Sequence, residues 1–583
     1  MANSTNGQVR VGSLAELKEQ GCKVMTGQHG PIAVFHHNDK VYAVDNRCPH
    51  MGFPLHRGTV QAGILTCHWH HARFDLASGC TFNLFADDVP VYPVEVRNGE
   101  VYLTPYREKI DEVDHWLGRL QEGMEQNISL VMAKAVIALL GESVDYREIV
   151  KRGILYGTRN RAAGWGPGLT ILTAMANVCE HLPAEEQFLA LYQGLLHAAR
   201  DTAGQPPRRD LQPLGKADLD GTTLARWFRR SVEVRDSEGA ERCLLTALSM
   251  GLPPAEIAAM LLAAATDHFY LDGGHTVDFI NKSFEALDLV GWEAAPQVLP
   301  TIVGGLCRAG RSEESQAWRQ PIDLVPVLKA AFEALPALIE QGRGKQWQPG
   351  GSFTETLLGD SPLEIVAALN RALSEGATPE QLAQEVAYAA ALRICRFGTQ
   401  NEFGDWIGVL HTFTYANAFH QALRRGTSPE LARGIYHGAI RIYLDRFLNI
   451  PPARLPDGRA NGATPPGALL EKLLKEMDTR QQVDGAAALV QQYLSAGPSP
   501  QPLIRTLAQA LLREDAEFHT FQMLEAAIRQ YAALRGSPRA DHVLIAATRY
   551  LAAHSPTDRA RQQTARIALR LHRGDALYEE EAA

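Results

Sequence analysis

The pattern of apolar and polar positions changes character once along this chain. Up to about residue 106, apolar residues alternate with polar ones in short runs broken by glycine, asparagine and aspartate. Pro31 to Asn46 alternates around a turn at His37-Asn38-Asp39-Lys40, and Val89 to Leu103 alternates around Asn98-Gly99. Both patterns predict hairpins, and Asn-Gly is a strong short-range turn signal. Gly58 to Asp75 adds further β-branched and aromatic runs, so the pattern predicts a small antiparallel β domain ending near Tyr106. From Asp111 onward the periodicity is helical, with alanine and leucine dominant. Several helices are expected to start on one signal, a short turn followed by proline and then glutamate: Pro183-Ala184-Glu185, Pro254-Ala255-Glu256, Pro379-Glu380 and Pro429-Glu430. Proline suits the first helical turn and glutamate complements the helix dipole there. The expected architecture is therefore multidomain: a small all-β domain of antiparallel sheets at 1–108, then a large all-α domain of repeated helical hairpins at 109–583.

A second recurrence lies inside the helical part. His275-Thr276-Val277-Asp278-Phe279-Ile280-Asn281, ending in Ala286-Leu287, resembles His411-Thr412-Phe413-Thr414-Tyr415-Ala416-Asn417, ending in Ala422-Leu423, and a weaker copy begins at His519-Thr520-Phe521. Fourteen residues after Pro183 and Pro254 stand His197 and His268, but the same count from Pro379 reaches Arg393. Duplication explains the likeness of the copies. It does not explain a histidine kept in an apolar helix.

Length and composition narrow the setting. The 583 residues exceed what one core holds, and a 45% apolar, 21% charged composition is that of globular protein. A net charge of −9 leaves no basic footprint for nucleic acid. Met1 to Arg10 is polar and lacks the apolar core of a secretion signal. The most apolar stretch, Ala255 to Ala265, is shorter than the roughly 20 residues of a membrane span and reads as a buried helix. Eight cysteines are scattered without a disulfide framework, and a reducing cytoplasm is the expected location.

Chemistry concentrates at Cys48-Pro49-His50 and, after sixteen residues, Cys67-His68-Trp69-His70. Two such loops at hairpin tips can close over a diiron core, one iron taking both thiolates and the other both imidazoles. Structural zinc also accepts two cysteines and two histidines, but its pairs usually have wider internal gaps and lack this hairpin setting. Spacing, ligand types and glycine-rich surroundings resemble the Rieske family over residues 8–106. The resemblance implies a [2Fe–2S] cluster held by Cys48, His50, Cys67 and His70. High-potential members of that family carry an extra cysteine in each loop; here Phe53 and His68 or Trp69 stand in that neighbourhood. Where that branch places Ser and Tyr hydroxyls on the cluster sulfurs, this chain has Ala72 and Phe74, so the potential is expected toward the low end, about −150 mV.

A Rieske cluster moves single electrons and needs an acceptor. Ring-hydroxylating Rieske oxygenases hold their catalytic iron in an α+β domain through an Asp-x-x-His-x-His-like run, which this chain lacks. The helical half instead offers His268, His275, His411 and His519 as candidate ligands of a non-haem iron, with His197 as a further candidate. Asp201, one turn after His197, is a candidate orienter of it, and Glu517 and Glu525 lie near His519. The helical pieces around His275 and His411 resemble questin oxidase-like proteins, all-α oxygenases of polycyclic aromatic substrates, some with a histidine-rich iron site. Two functions follow as expectations. One is an oxygenase whose cluster feeds a helical-domain iron acting on a small organic substrate, aromatic ones included, with dioxygen. The other is an electron-transfer or redox-sensing protein whose helices form a docking scaffold. Gly164-Trp165-Gly166-Pro167-Gly168 contains a proline and follows no clear strand, so no nucleotide fingerprint is legible. Electrons are expected from an external reductase or ferredoxin.

Overall fold

The computed structural model describes residues 7–27, 30–106, 112–215, 219–457, 464–575 and 577. Contacts divide the chain into two compact units, Met1–Asp145 with Gln563–Ala583, and Tyr146–Gln562.

The first unit contains three small antiparallel sheets. β1 (Val9–Ser13), β9 (Val94–Arg97) and β10 (Glu100–Leu103) form one, in the order β1-β10-β9. β2 (Cys22–Thr26), β3 (Pro31–His37), β4 (Lys40–Asp45) and β8 (Val91–Tyr92) form the second in the order β2-β3-β4-β8. β5 (Thr59–Gln61), β6 (Ile64–Thr66) and β7 (Arg73–Asp75) form the third. Both expected hairpin turns are present. Asn38 and Asp39 have φ of 48° and 58°, and Asn98 and Gly99 have 50° and 78°, the two left-handed residues that a tight hairpin turn requires. The run Val89 to Leu103 is split, however, because Val91 and Tyr92 pair with β4 while only the later strands make the hairpin. The helices Glu112–Glu125 and Ser129–Gly141 belong to the same unit.

The second unit is helical. The proline-glutamate signals start helices at Ala184–Thr202, Pro254–Thr266, Pro379–Cys395 and Pro429–Leu444, with Thr378 and Ser428 capping the last two. The histidine copies differ in their place along the helix. His275 opens the helix His275–Val290 and His519 is second in Phe518–Ala533, but His411 lies in the middle of the 23-residue helix Phe403–Arg425. These three helices pack in sequence, the middle one touching both others, and the helix Pro167–Cys179 touches the first and third. Among the described residues no helix is long and apolar enough to cross a membrane.

Candidate metal centres

In the first unit the two ligand loops repeat one backbone device. The Cys48 N–H donates to the Phe53 carbonyl at 2.9 Å, and the Cys48 carbonyl accepts from Gly52 at 2.7 Å. Nineteen residues later, the Cys67 N–H donates to Ala72 at 2.8 Å and its carbonyl accepts from His71 at 3.0 Å. Gly52 and His71, each four residues after its cysteine, adopt φ of 79° and 59° to close these turns. Strand pairing holds each base: Arg47 bridges Pro54, and Thr66 pairs with Arg73 across β6 and β7. Both loops are thus hairpin tips.

The side chains converge. His50 and His70 rings meet edge to face at 4.8 Å between centroids. Cys48 and Cys67 are both buried, and a hydrogen bond between them raises the Cys48 thiol far above its usual range while drawing Cys67 down to about 6. Burial pulls His50 down to about 4, helped by the positive charge of Lys134, so its imidazole is neutral. Its Nδ1 is buried with no hydrogen-bond partner among the described residues. An orphaned neutral imidazole nitrogen beside two sulfurs, one of them ready to ionise, is the donor set that a two-thiolate, two-imidazole cluster requires. The site fits the [2Fe–2S] group.

Lys134 was not foreseen. It lies on the otherwise apolar helix Ser129–Gly141 and sends its ammonium to the carbonyl oxygens of Pro49 and His50 at 2.5 and 2.6 Å. A single lysine in the middle of Leu130-Val131-Met132-Ala133 and Ala135-Val136-Ile137 is the sequence signal that could have revealed it.

The second unit gathers three of the candidate histidines. One nitrogen from each of His275, His411 and His519 lies within 4.8 Å of the others. Nε2 of His411 and Nε2 of His519 stand 2.8 Å apart. Glu517, which caps the His519 helix, accepts from His519 Nδ1 at 2.6 Å, leaving Nε2 as the lone-pair nitrogen. Burial, followed by repulsion among the three rings, pulls His411 down to about 3; burial and His519 pull His275 down to about 4. Three imidazole nitrogens this close together, with His275 and His411 kept neutral by burial, form a candidate metal donor set. Ligand bonds of about 2.0–2.2 Å place neighbouring nitrogens roughly 2.8–3.1 Å apart at right angles and about 3.3–3.6 Å apart in a tetrahedron. The 2.8 Å between His411 and His519 is a separation that one ion could bridge.

His268 and His197 are not brought into this group. Between His268 and His275 the chain turns through Tyr270, Asp272 and Gly273, all with positive φ. His268 contacts Glu313 through Nδ1 and Glu233 through Nε2, each at 2.6 Å. Burial disfavours its charge, but the two carboxylates outweigh burial and raise its pKa, and an imidazolium has no lone pair to give a metal. His197 Nε2 accepts from Arg561 at 3.0 Å, and its ring packs on Phe521. Asp201 does not orient it but accepts from the Gly168 N–H at 2.7 Å. His420 and His437 are buried elsewhere in the helices, His420 against Gln530.

Below the three histidines, successive turns of the same helices carry buried polar groups. Asp278 hydrogen-bonds Gln522. Lys282, 1% exposed, lies 2.7 Å from both Glu285 and Glu525, and Asn177 donates to both glutamates at 3.0 Å. Burial opposes the Lys282 charge, yet the carboxylates hold its pKa above the usual value. Lys282 and the two glutamates pair one another, whereas Asp278 has only the neutral Gln522 and burial raises its pKa to about 7. Asn281 and Glu525 stand six residues after their histidines, so the repeat itself marks this layer.

Geometry and donor set together define an iron–sulfur electron carrier of the two-cysteine, two-histidine class. Residues 7–93 match the family model of the Rieske [2Fe-2S] domain, and through them the chain belongs to that family. It is 32% identical over 105 residues to the 3-phenylpropionate/cinnamic acid dioxygenase ferredoxin subunit of Photorhabdus laumondii, covering 18% of this chain and 98% of that protein. It is 33% identical over 79 residues to ferredoxin CarAc of Metapseudomonas resinovorans, covering 12% of this chain and 69% of the relative. A solved structure, the ferredoxin of carbazole 1,9a-dioxygenase from Nocardioides aromaticivorans, aligns at 29% identity over 17% of this chain and all of its own, with a TM-score of 0.17.

Proposed function

We propose that this chain is an oxygenase-type oxidoreductase that carries its electron carrier and a non-haem iron site in one polypeptide. The carrying observation is the convergence of His275, His411 and His519, three imidazoles from three different helices, in a chain that also holds a Rieske domain. The [2Fe–2S] cluster, when bound, supplies single electrons at a potential set by its surroundings. Cys48 and Cys67 hold its thiolate side, His50 and His70 its imidazole side, and Lys134 fixes the first loop from behind. In the helical unit, Glu517 holds His519 in the tautomer that leaves Nε2 free, and Phe279 and Phe518 pack on the His275 ring at 5.6 Å each. An iron held by these three residues would keep positions open for dioxygen and an organic substrate. The relatives' names, ferredoxin subunits of dioxygenase systems, and the likeness of the His275 and His411 helices to questin oxidase-like proteins support the same reading. Electrons come from an external reductase or ferredoxin, and the reducing cytoplasm suits both metal sites.

The test is metal content in variants. His411→Ala and His519→Ala each remove the iron that is not accompanied by acid-labile sulfide and leave the Rieske electron paramagnetic signal intact. His268→Ala retains that iron. Loss of the Rieske signal together with the extra iron, or full retention of iron in His411→Ala, contradicts the proposal and favours the docking-scaffold alternative.

A further inference from the structure

Beside the three-histidine site the second unit contains a cavity of about 280 Å³. Its walls come from the loop Arg161–Trp165, from Asp272, Thr276 and Phe279 around the start of the His275 helix, and from the helix Pro300–Arg308. Backbone contacts fix these walls to one another. The Trp165 N–H donates to the Thr301 carbonyl at 2.9 Å, and the Asp272 N–H donates to Gly310 at 2.8 Å. Gly164, at φ 87°, makes the first contact possible, since a Cβ there would lie 2.2 Å from the Thr301 oxygen. The cavity is therefore pre-formed.

Its lining combines flat apolar surface with cationic charge. Trp165, Phe279, Ile302 and Leu306 supply the apolar part. Arg161 is oriented by its own loop: Nη1 donates to the carbonyls of Gly164 at 2.7 Å and Trp165 at 3.2 Å. Its Nε is buried without a partner among the described residues. Arg308 is exposed at the cavity, and among the described residues neither guanidinium is paired with a carboxylate. Asp272 is the one acid in the lining, set against these two cations. Two guanidinium groups on one cavity, the half-buried Arg161 with an unpartnered Nε and the exposed Arg308, suit a planar anion, and a carboxylate matches the guanidinium fork. The ring of Phe279 lies both on the cavity and against His275, so a molecule seated there lies against the packing of a candidate metal ligand.

We propose that this cavity binds a small aromatic carboxylate through Arg161 and Arg308, and that such a molecule is the substrate of the three-histidine site. The second clause rests on the functional reading above; the first does not. Benzoate and its neutral isostere benzamide, titrated against the full cluster-loaded chain by saturation-transfer NMR, test it. Benzoate binds saturably, benzamide binds about tenfold more weakly, and Arg161→Gln and Arg308→Gln each weaken benzoate roughly tenfold. The exposed Arg308 keeps the test decisive if Arg161→Gln does not fold, because its variant leaves the packed loop intact. Equal affinity for the two probes, undiminished benzoate binding in Arg308→Gln, or no benzoate binding up to about 10 mM overturns the proposal. Iron content of the same sample separates the two readings. Benzoate binding with only cluster iron keeps the cavity and removes the oxygenase, whereas extra iron without benzoate binding does the reverse.

Discussion

Ala72 and Phe74 are fully buried beside Cys67, and neither can donate a hydrogen bond. Hydrogen bonds to a cluster's sulfurs stabilise its reduced state, so a hydroxyl introduced at either place raises the midpoint potential. Ala72→Ser and Phe74→Tyr are each expected to shift it upward in a redox titration with the cluster intact. An unmoved potential in both contradicts the placement of these residues. His437 illustrates the opposite case, a buried group that costs stability in acid. It is 1% exposed, and burial pulls it down to about 3 from an ordinary 6.5. Its folded-state pKa is depressed, so the unfolded chain binds the proton more tightly; the stability it allows is present above pH 6.5 and is lost as pH falls toward 3. At about 1.4 kcal/mol per unit the loss amounts to several kcal/mol. His437→Gln should therefore flatten the acid limb of a stability-against-pH curve, measured by urea unfolding, between pH 6.5 and 4.

At the scale of elements, the turn chemistry was readable and the long-range partners were not. Asn98-Gly99 and His37 to Lys40 announce their hairpins because left-handed turns need those residue types, and proline with glutamate announces four helix starts for reasons equally local. Val91 and Tyr92 were assigned to the wrong neighbour because alternation says which face a strand buries, not which strand it joins. The helix Ser129–Gly141 shows the same limit: its apolar pattern reveals burial, but not that Lys134 reaches two carbonyls of the Cys48 loop. Burial lowers that ammonium to about 8, so at neutral pH it is still largely charged, and positive charge beside the cluster favours the added electron. Lys134→Met is expected to lower the midpoint potential by roughly tens of millivolts. An unchanged potential, with the cluster retained, denies Lys134 this role.

For the whole molecule, the Rieske domain was legible because its two cysteine-histidine loops are short and their spacing carries the chemistry. The helical site was only partly legible. A His-Thr repeat picked out His275, His411 and His519, but counting from Pro254 also picked out His268, whose two glutamate partners come from segments 35 and 45 residues away. No periodicity predicts such partners. Nor did it predict that His411 would contribute from mid-helix while the other two stand at helix starts. On the proposed function, one chain holds both a Rieske cluster and a separate iron. Iron and acid-labile sulfide, counted per chain in protein purified without oxidative loss, test it most directly. Three irons with two sulfides are the expected result, and two irons with two sulfides would contradict it.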